Sequence, residues 1–95
     1  MLVITFPEKI DFAAATHLSQ QMRETVFTES VLFDLTKTES IHSAFIGFLI
    51  LAKYLMNKRG VSLHLRISTH IRRVFDMLEL NSFFFTSPDS ARLIA

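Results

Sequence analysis

The chain has 95 residues, which suits one domain and leaves no room for two, so residues 1–95 are read as a single unit. Apolar residues make up 49%, enough for a packed core and too many for a disordered chain, and a net charge of +1 implies no obligate nucleic-acid or membrane partner. There is no Cys, which excludes disulfides and Cys-based metal sites or nucleophiles and suits a reducing cytoplasm.

In chain order, Leu2–Phe6 is apolar and β-branched, and Pro7 stops it; it predicts a strand. Asp11 is a good N-cap for a helix over about 12–27, with Ala14, Leu18, Met22 and Val26 as its apolar stripe. Val31–Leu35 is a short, nearly unbroken apolar run, the pattern of a strand buried on both faces of a parallel sheet. A polar connection, Thr36–Ile41, follows. Ser43 can cap the next helix, which runs to Arg59 and ends at Gly60.

Val61, Leu63, Leu65 and Ile67 alternate with polar residues, as in a strand with one buried face. Ser68 or Thr69 can cap a third helix with Ile71, Val74, Phe75 and Leu78 on its apolar side. Phe83–Phe85 reads as a short strand. Ser87 and Pro88 then open a last helix over Asp89–Ile94. Strand and helix alternate, which predicts an α/β fold with a four-stranded, mostly parallel or mixed sheet and about four helices.

The longest apolar run, Ala44–Ala52, is far shorter than the ~20 residues of a membrane span. The N-terminal residues lack a basic lead and a long apolar stretch, so no signal peptide is expected. A soluble, cytoplasmic protein without membrane insertion is the expectation. Between Lys53 and Arg73 there are six basic residues and no acid. They make either a solvated positive face or a docking surface for an acidic partner.

Chemistry-bearing motifs are scarce. Two isolated Gly cannot build a phosphate loop, and His17, His42, His64 and His70 are not at paired metal-ligand spacing. No cofactor, metal or catalytic residue is expected. Asp34, His42 and Ser43 lie near one loop, but a His adjacent to a Ser in sequence is poorly placed to act as its base. The segment from Asp34 to Leu49 stands out all the same: a strand ends, a loop follows, and Ser43 opens an apolar helix. Ser43 there is either a simple cap or a phosphorylation switch. A helix N-terminus tolerates an anion, and a phosphate would add about −1.5 to −2 charge to a docking surface.

This segment resembles the signature of the STAS family (anti-sigma factor antagonist-like). In that family a strand ends in Asp-Leu-Ser, and Asp-Ser-Ser-Gly-Leu-Gly then leads into an apolar helix. Further resemblances follow in order. Glu8–Asp11 is similar to the family's Glu-Leu-Asp lead into its first helix. Lys58-Arg59-Gly60 is similar to its basic-Gly turn. The segment Ser68–Leu80 is similar to its helix with paired Arg. The likeness covers nearly the whole chain. It implies a four- or five-stranded sheet with helices mainly on one side. The family's usual extra first strand would precede Leu2 and is expected to be missing, leaving an edge that a partner can pair with.

The resemblance also implies a function. The best-known members are anti-sigma factor antagonists, whose Ser is phosphorylated by an anti-sigma factor that is itself a serine kinase. A phosphatase resets them. Carried across, Ser43 is the phosphoacceptor, and Asp11, Asp34, His42, Ala44 and Phe45 form the partner-binding face. Where the family has Asp, Ser and Gly, this chain has His42, Ala44 and Phe45. Phe45 is either an exposed interface anchor or part of the core. The departures leave a second expectation, an unphosphorylated STAS subunit that is an assembly or accessory component of a signalling or transport complex.

Overall fold

The computed structural model describes residues 1–85. Their order is β1 (Leu2–Thr5), β2 (Lys9–Ile10), α1 (Phe12–Glu24), β3 (Val31–Leu35), β4 (Ser40–Ile41), α2 (Ser43–Lys58), β5 (Leu63–Ile67), α3 (Thr69–Met77) and α4 (Asn81–Phe85). The α/β class and the parallel strands match expectation, and the described residues hold four helices.

The main sheet has three parallel strands in the order β1-β3-β5. Ile4, Phe33 and Leu65 share one row, and Thr5, Asp34 and Arg66 the next, so successive rows face opposite ways. The Phe33 face carries the core. Its ring stacks on Phe48 of α2 at 5.7 Å, and Phe6 meets it edge-on at 5.1 Å. β1 is an edge strand on which Leu2 and Val3 are exposed.

Two helix ends use the same device. At the end of α2 the Gly60 amide donates to Asn57 and the Val61 amide to Met56, with Gly60 at φ 74. At the end of α3 the Glu79 amide donates to Asp76 and the Leu80 amide to Phe75. Both are Schellman turns, which need a left-handed residue. Gly60 adopts that conformation freely, whereas Glu79 adopts it at φ 56.

Several sequence expectations need correction. Phe83–Phe85 is not a fourth strand of the sheet but the second half of α4. The Phe84 amide donates to the Leu80 carbonyl at 3.1 Å, and the Phe84 ring stacks on Phe75 at 5.0 Å. An aromatic run has high β-propensity, but one turn of helix is what seats Phe84 on α3. α1 stops at Glu24, so Val26 lies beyond it and is exposed. Ala14 is exposed as well; Ala15 and Met22, with half-buried Leu18, form the buried stripe. β5 begins at Leu63 rather than Val61. The expected helix over Asp89–Ile94, with its start at Ser87 and Pro88, lies outside the described residues.

Candidate functional site

The site is built by two strands too short to show a period in the sequence. β2 and β4 pair in parallel, Lys9 opposite Ser40 and Ile10 opposite Ile41. The His42 amide continues the ladder to the Ile10 carbonyl at 2.9 Å. The next residue on each strand therefore arrives in step, and each caps a helix. Asp11 accepts the Ala14 amide at 2.9 Å through Oδ1, and His42 accepts the Ala44 amide at 3.0 Å through Nδ1.

His42 rather than Ser43 is the cap of α2. Its backbone is extended at φ −80 and ψ 151, and Ser43 is already the first helical residue. Two helix N-termini, those of α1 and α2, thus stand at the same end of the molecule. Each presents the positive end of a helix dipole. Ser43 is exposed as the first residue of the helix, and Ala44 is half-buried beside it.

Phe45 does not belong to the surface. It is fully buried, stacked on Phe48 at 5.4 Å and edge-on to Phe6 at 5.5 Å. Its side chain fills core, where the family's Gly would leave space, so it has no surface to offer a partner. The exposed aromatic at this end is Phe12, the first residue of α1. It is 60% exposed and meets the His42 ring edge-to-face at 5.3 Å. Sequence reasoning missed Phe12; its position directly after a cap, outside the apolar stripe, was the available signal.

The loop ahead of Ser43 is tied down by Thr38. This side chain is fully buried, and its Oγ1 donates to the Pro7 carbonyl at 2.8 Å. The Thr38 carbonyl accepts the Ser68 hydroxyl at 2.6 Å, and the same Ser68 oxygen accepts the Ile71 amide and so caps α3. Glu39 and Ser40 both donate to the Glu8 carbonyl. The link joins three loops at the carboxyl end of the sheet. In sequence Thr38 looks no different from Thr36.

Asp34 is the penultimate residue of β3, opposite Thr5 and Arg66. Its carboxylate accepts the Thr36 hydroxyl at 2.6 Å and the Thr36 amide at 3.0 Å. These bonds hold its carboxyl below the ordinary value, with smaller help from Arg66 and Lys37. The structure therefore gathers Asp11, His42, Ser43 and Ala44 at the paired helix starts. It leaves Asp34 bonded within its own turn and Phe45 inside.

The basic stretch is spread over several surfaces. Lys53 lies over the Phe83 ring at 5.5 Å, Lys58 over Tyr54 at 5.9 Å and Arg72 over Phe85 at 5.9 Å. Arg59 donates to the Thr25 carbonyl at 2.8 Å. Burial lowers the Lys53 ammonium below its ordinary range. Among the described residues no group of three or more His, Asp or Glu is placed to hold a metal, and no helix is long and apolar enough to cross a membrane.

The family model for the STAS domain matches residues 1–92. No curated protein matches the chain.

Proposed function

The chain belongs to the STAS domain family, and from that membership we propose that it is a protein-binding regulatory domain of the anti-sigma factor antagonist type. In this reading a serine-kinase-type anti-sigma factor docks on the paired helix starts and phosphorylates Ser43, and a phosphatase removes the phosphate. The protein binds and is not an enzyme, and it works in the cytoplasm.

One observation carries the reading: Ser43 is exposed as the first residue of α2, beside the start of α1. A phosphate on its hydroxyl lies at the positive end of the α2 dipole, which favours an anion, so the fold tolerates it. The same phosphate places about two negative charges where a partner must dock, which is the basis of a switch. Asp11, His42 and Ala44 border it, and Phe12 adds an exposed aromatic of the kind that anchors interfaces.

A second reading has its own observation. The residues on either side of Ser43 are His42 and Ala44, where the family signature has Asp and Ser. A kinase has fewer carboxylate and hydroxyl groups to read there, which favours an unswitched subunit of a signalling or transport assembly.

The two part on one experiment, the affinity of the protein for its kinase partner in three forms. The switch requires Ser43→Asp to weaken binding at least about tenfold, a loss of about 1.4 kcal/mol. It also requires Ser43→Ala to stay bound when ATP releases the wild type. Equal binding of all three forms, indifferent to ATP, establishes the assembly role instead.

A further inference from the structure

At the far end of α1 from the caps, the helix stands off the sheet. Between them lies a cavity of about 270 Å³. Its floor is Phe6, Met22, Phe33 and Phe48, all buried, with half-buried Leu18 and Phe27 at its sides. Exposed Gln21 and Thr25 give it a polar lip. Nothing in the switch site uses this space.

An apolar cavity of about 150 Å³ already stays dry and takes up an aromatic ring. This one is larger and open on one side, with room for a short alkyl chain. A charge also lies next to the lip. Arg59, past the end of α2, donates Nη1 to the carbonyl of Thr25 at 2.8 Å, which places a guanidinium against a lining residue. A guanidinium has further N–H groups, and its preferred partner is a carboxylate.

We propose that this cavity binds a medium-chain carboxylate, its alkyl tail on Phe6, Phe33 and Phe48 and its head at Arg59 and Gln21. Tail burial supplies the affinity, in proportion to the apolar area removed from water. The cationic rim selects an anionic head over a neutral one. The pocket is separate from the Ser43 face and does not depend on the switch.

The test titrates octanoate and octanol into the full chain below their self-association concentrations, followed by amide chemical shifts. Octanoate is expected to bind saturably, moving Leu18, Met22, Thr25 and Phe27. Octanol should bind about tenfold more weakly, the size of one charge-assisted hydrogen bond. Arg59→Gln should abolish the preference for octanoate while leaving octanol binding unchanged. Leu18→Phe, which fills the cavity, should remove both. If it does not fold, Arg59→Gln decides alone. No saturable shift with octanoate, shifts confined to residues away from the cavity, or a head-group preference that survives Arg59→Gln overturns the proposal.

Discussion

The imidazole of His42 caps α2 and at the same time takes the ring of Phe12 edge-to-face at 5.3 Å, so one side chain joins the starts of both helices. The cap predicts a stability order. His42→Ala loses the acceptor for the Ala44 amide and costs about 1 kcal/mol, whereas His42→Asp keeps an acceptor and adds a favourable charge at the helix start. Urea unfolding should rank Asp at or above His, and both above Ala. An Ala variant as stable as the wild type removes His42 from its capping role.

Thr38 is the point where three loops meet. Thr38→Val keeps the shape but deletes the part-buried bond to the Pro7 carbonyl, at a cost of about 0.5–1.5 kcal/mol. Ser68→Ala removes both the bond to Thr38 and the α3 cap, and should cost a similar amount. Thr38→Val keeps the carbonyl that accepts from Ser68, so the two variants delete different bonds; because both bonds order the same Thr38 loop, the double variant should still lose less than the two single losses together. Strict additivity in the unfolding free energies contradicts the coupling.

Phe45 separates core from surface. Phe45→Ala should cost about 3–5 kcal/mol, a large part of the 5–15 kcal/mol that holds a domain of this size. Phe12→Ala should change stability by no more than about 0.5 kcal/mol yet weaken partner binding. Thermal unfolding and binding together check the assignment, and a stable, binding-defective Phe45→Ala reverses it.

Glu79 holds a left-handed backbone that favours glycine. Glu79→Gly should raise stability by about 1 kcal/mol through relief of that strain. A decrease in the chemical-denaturation midpoint would show that the Glu79 side chain makes a compensating contact.

Asp34 has a carboxyl held below its ordinary value of 3.8, first by the Thr36 hydroxyl and then by the Thr36 amide. A lowered carboxyl stabilises the fold above its unfolded-state value, and that stabilisation is lost as pH falls through the lower, folded-state value. Carboxyl-carbon shifts should therefore titrate Asp34 below 3.8 in the wild type. Thr36→Val should move the midpoint upward. An unchanged midpoint in that variant means the hydroxyl bond is not the cause.

The long elements were legible because they are periodic or continuous. Val31–Leu35 is apolar on both faces, and Asp11, Ser68 and Gly60 mark helix ends by the bonds their side chains or backbones make. Phe83–Phe85 misled because aromatic β-propensity is local, whereas the stacking of Phe84 on Phe75 is tertiary. The site was legible in part. Ser43 stood out, but the register that sets it beside α1 comes from β2 and β4, each two residues long and too short to carry a pattern. The cap fell one residue early because His42 holds the extended backbone, although Ser is the commoner capping residue. Phe45 could not be assigned from sequence, since only the position of Phe6 and Phe48 turns it inward.

The proposed phosphate switch at Ser43 is tested by phosphosite mapping of the protein captured from its native cells under phosphatase inhibition, with the bound partners identified in the same digest. A switched protein gives a phosphorylated Ser43 pool that is absent from the partner-bound fraction, and a serine-kinase-type anti-sigma factor bound to the unmodified form. Ser43 bare throughout, with the protein held in a transporter or scaffold assembly, would contradict it.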